Sequence, residues 1–368
     1  MQKNNRLIII RNVFLLLTGL IYFILIQYNS SYSEALFFFI FIFAIGYCAN
    51  SLLEINTNWM LGNLILAIIM SLNLSGLISI YSSMLGHFKY SHYWGAGVYL
   101  ILSSALFFVK GDRKKWKNKQ NYLSKIRGEI IRDLSYALIC LIAFFILSAN
   151  IYSENRYPAY DPWTVHPVSQ EIINGNLNFF GELKIWDLDF YKGFYFTHAF
   201  YANNSPMPVR YWGLISFCLI SGLFYLIFIN NYNNLLIGIS ILFALSSGRI
   251  IFRFSMPIRE NFALVFLIFF VYLLHKLFRK RRQNISALLK LIIPLTLLGF
   301  SHSFASVFVS LFIILNIFEE LLTFFSLQKK EALYRSMLLV GSLLIATILS
   351  YKGLVLILIK LILGESFV

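Results

Sequence analysis

Long runs of apolar residues, repeated from one end of the chain to the other, constrain its fold more than any other feature. A helix needs about 20 apolar residues to cross about 30 Å of hydrocarbon. Lipid offers no hydrogen-bond partner to the backbone, so continuous apolar runs of this length predict helices rather than a barrel. We therefore predict an all-α, polytopic transmembrane bundle of about eleven spans at 7–27, 35–53, 59–80, 92–110, 133–152, 209–231, 234–251, 257–278, 286–300, 303–326 and 336–362.

Composition agrees with a chain whose solvent is the membrane. Hydrophobic residues make up 59% of the 368 residues, charged residues only 13%, and the mean hydropathy is +0.72. This leaves too little polar surface to cover a soluble globule of this size. The net charge of +15 does not indicate nucleic acid as a partner, because the basic residues form short clusters beside apolar runs, as cytoplasmic loops do.

The basic clusters also predict the orientation of the chain. Lys and Arg accumulate in cytoplasmic loops. With a cytoplasmic N-terminus, every cluster falls on the cytoplasmic side: Lys3 and Arg6, Arg113 to Arg132, Lys276 to Arg282, and Lys329 to Arg335. We expect a multi-pass protein of the cell membrane in which residues 153–208, after the fifth span, form a large external loop.

This external loop is the longest polar segment on the non-cytoplasmic side. A connection of about 55 residues is long enough to suggest a functional role. Trp163, Trp186 and the aromatic run from Phe190 to Tyr201 predict short amphipathic helices lying at the membrane interface. Asp161 follows the fifth span and precedes Pro162, which favours the first turn of a helix. Taken alone, such an Asp is more typical of a helix cap than of a catalytic group.

The loop sequence resembles a motif of the GT-C superfamily of polyprenyl-phosphate-sugar-dependent glycosyltransferases, especially its oligosaccharyltransferase-like members. The resemblance rests on Asp161-Pro162-Trp163, a helix-like stretch at 167–173, and Asn174-Gly175. It implies that Asp161 is the essential carboxylate, acting as a base towards the acceptor or as a metal ligand. It covers roughly 133–362, which holds seven spans, the number in the family's shared membrane module.

A second segment, Gly248 to Asn261, is similar to the external Arg-Ser to Glu stretch that opens a later helix in this family. Arg249, Arg253 and Arg259 lie on the predicted external side, against the usual distribution of positive charge. Their guanidinium groups suit the oxygens of a lipid-linked phosphate. Snorkelling to headgroup phosphates is the alternative for any one of them. The sequence Arg259-Glu260-Asn261 departs from the Asp-Asn-Glu type found in oligosaccharyltransferases.

Several further residues complete the predicted site. Through the resemblance, Glu260 becomes a substrate-binding residue and, with Asp161, a ligand for a divalent cation, Mg or Mn. His302 lies at a predicted external turn and resembles a His that follows this helix in the family, although a turn role is the alternative. Trp163 and His166 complete the substrate-binding set. His198, also in the loop, is a weaker candidate for positioning an acceptor.

Together these features predict two structural domains and one enzymatic function. Residues 1–132 are expected to form a four-span bundle with a basic cytoplasmic loop, and residues 133–368 a GT-C-like membrane module. The predicted function is transfer of a sugar from a polyprenyl-phosphate donor to a glycan, lipid or protein acceptor at the external face. The alternatives are a transporter or a lipid or polysaccharide flippase, and a non-catalytic GT-C paralogue.

Overall fold

The architecture is helical throughout the described part of the chain. The structure is a computed structural model that describes residues 2–28, 31–57, 59–108, 122–153, 160–177, 192–202, 211–228, 234–247, 249–250, 254, 259–279, 285–301 and 303–350, with only the backbone given at some helix ends. Within these ranges there is no β-strand. The prediction of an all-α protein is confirmed.

The described residues of the N-terminal half form six α-helices. A π-helical turn, Phe39–Ala44, joins the second and third helices into one continuous apolar stretch. The helices are α1 (Gln2–Leu25), α2 (Ser31–Phe38), α3 (Ile45–Leu52), α4 (Met60–Met84), α5 (Ser91–Ala105) and α6 (Tyr122–Ser153).

Apart from the short helical segment at Arg249, the described residues of the C-terminal half form eight α-helices, two of which lie in the predicted external loop. These two are α7 (Tyr160–Ile173) and α8 (Lys192–Ala202). The others are α9 (Trp212–Phe228), α10 (Asn234–Leu245), α11 (Arg259–Arg279), α12 (Ile285–Ser301), α13 (Ser303–Leu327) and α14 (Lys330–Ser350).

Seven stretches of these helices are long and apolar enough to cross a membrane, which makes the chain a multi-pass membrane protein. They are Ile8–Tyr28, Tyr32–Leu52, Met60–Met84, Ile130–Ser148, Glu260–Leu277, Ala305–Leu327 and Lys330–Ser350. Three further apolar helices, at Trp212–Phe228, Leu236–Leu245 and Ala287–Ser301, are shorter than a full span. Each of the eleven predicted segments is helical over most of its described length.

Some helix ends differ from the predicted spans. α6 begins at Tyr122, inside the predicted basic loop, because Lys, Arg and Glu are good helix formers and let the helix continue beyond its apolar part. α14 begins at Lys330 rather than at residue 336, again within a basic segment. Hydropathy reports only the apolar part of a helix, so it places such ends too far inwards.

The chain divides into two compact units. The first comprises Met1–Leu72, His92–Trp163 and Arg210–Ile258, and the second Asn73–Ser91, Thr164–Val209 and Arg259–Val368. The division into 1–132 and 133–368 came from the family resemblance rather than from compactness, and it stays a prediction.

In the first unit, Trp59 joins α4 to α6 and α9. Its indole N–H donates to the Asp133 carboxylate, and the Arg132 guanidinium lies 5.0 Å from the centre of its ring. Tyr136 of α6 and Tyr225 of α9 pack against the same indole at 5.6 and 6.0 Å. The Tyr136 hydroxyl also donates to the carbonyl of Cys218 at 2.8 Å. These contacts hold together α6 and α9, the helices that precede and follow the loop.

In the second unit, a buried ion pair joins α13 to α14. The Arg335 Nε and Nη2 atoms donate to the two carboxylate oxygens of Glu320, each at 2.9 Å. Both side chains are largely excluded from solvent, with exposed fractions of 17% and 11%. Gln328, with φ at +49°, forms the tight turn between the two helices. The paired charges therefore lie on facing helices of one hairpin.

The predicted orientation can be checked by labelling single cysteines. In a variant whose native cysteines, Cys48, Cys140 and Cys218, are replaced by alanine, we expect Phe190→Cys to react with an impermeant maleimide on intact cells. We expect Lys115→Cys to react only after permeabilisation, because basic loops stay cytoplasmic. The opposite pattern would place residues 153–208 in the cytoplasm and remove the basis for an external site.

Candidate functional site

The residues most strongly singled out by the sequence begin a helix. α7 starts at Tyr160, so Asp161, Pro162 and Trp163 occupy its first turn, and His166 lies in its second. Pro is tolerated in a first turn because its missing N–H has no helical acceptor there. The side chains of Asp161, Trp163 and His166 lie outside the described atoms, so the structure gives their place in the helix only.

The end of α7 explains the Asn174-Gly175 pair in structural terms. The backbone N–H of Asn176 donates to the Glu171 carbonyl at 3.0 Å, and that of Gly175 donates to the Ile172 carbonyl at 3.1 Å. Gly175 has φ at +78°, a left-handed conformation that is costly for residues with a Cβ. This is the pattern of a Schellman helix stop. Asn174-Gly175 thus has a local structural reason to be present, whatever its part in a wider motif.

α8 corrects the prediction of amphipathic interfacial helices in the loop. Every residue from Gly193 to Ala202 is buried, so this helix has no polar face turned to water or headgroups. A helix that is apolar on all sides is a core helix. The physical reason is the composition of α8, which carries aromatic residues and alanine on all of its sides. The hydroxyl of Thr197 donates a hydrogen bond to the Gly193 carbonyl of the same helix at 2.6 Å.

Contacts within the second unit place α8 against three other segments. The ring of Phe196 lies 5.9 Å from Phe88, which follows α4, and the ring of Phe194 lies 5.6 Å from Phe262 near the start of α11. Gly193 faces α12 so closely that a Cβ there would lie 2.6 Å from the Ser301 hydroxyl oxygen. The second half of the loop is therefore an internal part of the helical unit.

His198 lies in the middle of this packing. Its Nδ1 is 3.0 Å from the Phe194 carbonyl oxygen, and because a carbonyl only accepts, Nδ1–H is the donor. The ring stands 4.2 Å from Phe194 and 6.4 Å from Phe262, centre to centre. Burial lowers the pKa of His198 to about 4. At neutral pH the imidazole is therefore uncharged and Nε2 is its unprotonated nitrogen.

We expect the buried imidazole to make stability depend on pH. The unfolded chain takes up a proton near the ordinary pKa of about 6.5, whereas the native His198 does so only near pH 4. The contribution of His198 is therefore fully present above pH 6.5. It is lost as the pH falls towards 4, at about 1.4 kcal/mol per pH unit.

Thermal unfolding of purified protein in detergent between pH 7 and pH 4.5 measures this effect. We expect the midpoint of unfolding of His198→Gln to fall less between pH 7 and pH 4.5 than that of the wild type, because the amide does not titrate. The matched control is His87→Gln, because His87 is exposed in the turn after α4. Equal acid sensitivity of the wild type and His198→Gln would contradict this account.

The first turn of α11 carries the second predicted group of site residues. Arg259 begins the helix, although its side chain lies outside the described atoms, and Glu260 follows it in the first turn. The Oε2 atom of Glu260 is buried, and Asn261 is only 4% exposed. A carboxylate in a first turn is favoured by the helix dipole. That effect alone accounts for an acid at this position, so it does not by itself make Glu260 a ligand.

Arg249, Arg253 and His302 complete the predicted set. Arg249 is exposed in the short helical segment after α10. Arg253 and His302 lie outside the described residues. Phe254, the residue after Arg253, is buried, and its ring lies 5.4 Å from that of Phe217 in α9. Asp161, Trp163, Arg249 and Arg253 belong to the first unit, and His166, Arg259, Glu260 and His302 to the second.

The described side chains do not assemble a metal centre. Among them no three His, Cys, Asp or Glu residues lie close enough together to hold an ion. Mg and Mn prefer several oxygen ligands. Glu260 is the one predicted metal ligand whose carboxylate is described, and a single carboxylate does not make a metal site.

Sequence reasoning undervalued α8 and His198. The signal was present in Gly193 to Ala202, where apolar and aromatic residues fall on every side of a helical projection. Such an all-round pattern indicates a buried helix. Their position in a long polar loop favoured an interfacial interpretation instead.

Comparisons with known proteins do not add to these observations. No protein-family model, curated protein or solved structure matches this chain.

Proposed function

We propose that this chain is a GT-C-type membrane glycosyltransferase. It transfers a sugar from a polyprenyl-phosphate donor to a glycan, lipid or protein acceptor at the external face of the cell membrane. In this proposal the chain has eleven spans and a cytoplasmic N-terminus, and residues 133–368 form the GT-C-like module.

One observation carries the proposal furthest. The loop that holds the Asp161-Pro162-Trp163 sequence also contributes a buried helix, α8, whose Phe194 contacts Phe262 near the start of α11. That helix begins with Arg259 and Glu260, which belong to the second segment that resembles the same family. A long connection built into the packing in this way is typical of a functional segment rather than a linker.

The proposed reaction needs few protein groups. The bond between the sugar C1 and the phosphate oxygen breaks, and the polyprenyl phosphate leaves with the electron pair. The acceptor oxygen forms the new bond to C1 and gives its proton to the Asp161 carboxylate, which acts as the general base. Two of Arg249, Arg253 and Arg259 bind the phosphate oxygens, where negative charge develops.

The remaining predicted residues have supporting roles. Trp163, His166, Glu260 and His302 are assigned to substrate binding. Mg or Mn, with Asp161 and Glu260 as ligands, stays an expectation from the family resemblance, and when bound it would neutralise phosphate charge.

A transporter or flippase is the second candidate, and the buried polar residues of α4 are the feature that favours it. Asn73, Ser75 and Ser79 are all fully buried in the middle of this long apolar helix. Buried polar residues within a span often mark a substrate path. However, Ser71 accepts the Gly46 N–H at 2.9 Å and Ser79 donates to the Gly76 carbonyl at 2.7 Å. The first bond joins two packed helices and the second stays within α4, so both have a structural role and we prefer the enzyme.

The arginine cluster provides the test of donor binding. At a clamping position we expect Arg→Lys to raise the donor concentration needed for half-maximal transfer by about tenfold or more, because lysine keeps the charge but loses the two-pronged donor. At a snorkelling position the same change should be nearly silent.

Donor titrations of Arg249→Lys, Arg253→Lys and Arg259→Lys in a sugar-transfer assay make the comparison. Lys330→Arg, at the start of α14, is a charge-conserving control away from the cluster. Three unchanged donor affinities would show that the cluster binds no donor phosphate.

A further inference from the structure

An apolar groove runs between α9 and α10 in the first unit. Its volume is about 380 Å³. Ile237 and Ile241, which are 6% and 8% exposed, form its floor, whereas Phe228 and Leu236 at its edge are 36% and 53% exposed. The full lining is Phe224, Phe228, Leu236, Ile237, Ser240, Ile241 and Ala244.

The groove has the shape of a narrow slot. On the α9 side the rings of Phe224 and Phe228 are nearly parallel, with 8° between their planes and 6.0 Å between their centres. On the α10 side Ser240 and Ala244 are small, and the Ser240 hydroxyl donates to the Leu236 carbonyl at 2.9 Å. Its one polar side chain is thus turned back onto its own helix. A slot lined by phenylalanine rings on one helix and small residues on the other suits an unbranched hydrocarbon chain.

An arginine follows the last lining residue of this slot along the chain. After α10 the chain continues in tight turns, in which the Ser247 N–H donates to the Ala244 carbonyl at 3.1 Å and the Ile250 N–H to the Ser247 carbonyl at 3.0 Å. These turns keep Arg249 within about five residues of the last lining residue, at most ~18 Å along the chain. Arg249 is exposed.

We propose that the slot between α9 and α10 binds one acyl chain of an anionic bilayer phospholipid, whose phosphate lies at Arg249. The apolar slot would bind the acyl chain, and the guanidinium of Arg249 would bind the negatively charged headgroup. Arg249 then belongs to the bilayer phosphate, which leaves Arg253 and Arg259 as the donor clamp. Binding of this lipid does not depend on the proposed transferase activity and can succeed or fail independently of it.

Native mass spectrometry of the full chain in detergent tests this site. The protein is delipidated and mixed with equal amounts of phosphatidylglycerol and phosphatidylcholine of identical acyl chains, with and without a polyprenyl phosphate. We expect one retained phosphatidylglycerol, preferred over phosphatidylcholine by about fivefold. Ser240→Trp fills the slot from an exposed position and should lower retention of both phospholipids by about tenfold. Arg249→Gln should abolish the preference but leave the retention of phosphatidylcholine unchanged.

The controls separate lipid binding from folding. Leu311→Trp introduces the same indole at an exposed apolar position on α13 and should retain the lipid as the wild type does. Ala244→Phe fills the slot from a second position if Ser240→Trp lowers the thermal midpoint of unfolding. Unchanged retention in both filling variants would overturn the proposal. Displacement of phosphatidylglycerol by equimolar polyprenyl phosphate would also overturn it, because the slot would then hold an isoprenoid chain.

Discussion

Glu320→Gln is expected to lower the free energy of unfolding by about 3 kcal/mol, because it leaves the Arg335 guanidinium largely buried without its counter-charge. In the native protein the two groups form two parallel hydrogen bonds of 2.9 Å between α13 and α14. Both helices qualify as membrane spans, so water offers little compensation for the unpaired charge of Arg335. Thermal unfolding in detergent, followed by tryptophan fluorescence, should show a large drop in the midpoint.

The neighbouring residue provides a matched control for this change. Glu319 is exposed on the same turn of α13, so Glu319→Gln removes the same charge without breaking the pair and should leave the midpoint near that of the wild type. Replacing both partners, as Glu320→Leu with Arg335→Met, should recover most of the stability, since two apolar side chains carry no unmet charge. Equal midpoints for Glu320→Gln and Glu319→Gln would mean that the ion pair contributes nothing.

Asp161→Asn is expected to reduce sugar transfer by about 10²–10⁴-fold while the protein still folds, because the amide is nearly isosteric but does not act as a base. Asn is also a good residue at a helix start, so the first turn of α7 should persist. The initial rate of transfer at saturating donor measures the effect, and elution volume and thermal midpoint report on folding.

Glu171→Gln on the same helix is the control for Asp161. Glu171 is exposed and accepts a hydrogen bond from Asn176 at the other end of α7, so its replacement removes a carboxylate from the helix without touching the first turn. It should keep wild-type transfer. Wild-type rates in Asp161→Asn would make Asp161 a structural residue and remove the catalytic assignment.

Hydropathy and charge predicted the helices well but not the contacts between polar groups. Apolar length is a local property, so α4 and α13 begin and end within a few residues of their predicted spans. Arg335 shows the limit. It was counted among the basic residues of a cytoplasmic loop, yet it lies inside α14 and pairs with Glu320 fifteen positions earlier. Only the packing of two helices brings those charges together, and no local pattern records it.

The candidate site was predictable to a smaller degree. The Pro at position 162 indicated the start of a helix, because it is a local signal. Asn174-Gly175 entered only through the family resemblance, although a glycine with positive φ is also a local helix stop. The burial of α8 and the contact between Phe194 and Phe262 depend on tertiary packing. The neutral state of His198 also depends on that packing, because burial sets its pKa. Sequence therefore located the loop helices but did not predict which one is internal.

Transfer of a sugar by this protein is tested most directly by following a radiolabelled sugar in sealed proteoliposomes. The vesicles contain a polyprenyl-phosphate sugar with the label on the sugar, together with a mixture of candidate acceptors, and carry the wild-type protein or Asp161→Asn. We expect the wild-type protein to move the label from the lipid to an acceptor and to release unlabelled polyprenyl phosphate. We expect the Asp161→Asn variant to leave the label on the lipid. Label that stays on its original lipid but crosses to the opposite leaflet, equally in both proteins, would contradict the account and identify a flippase.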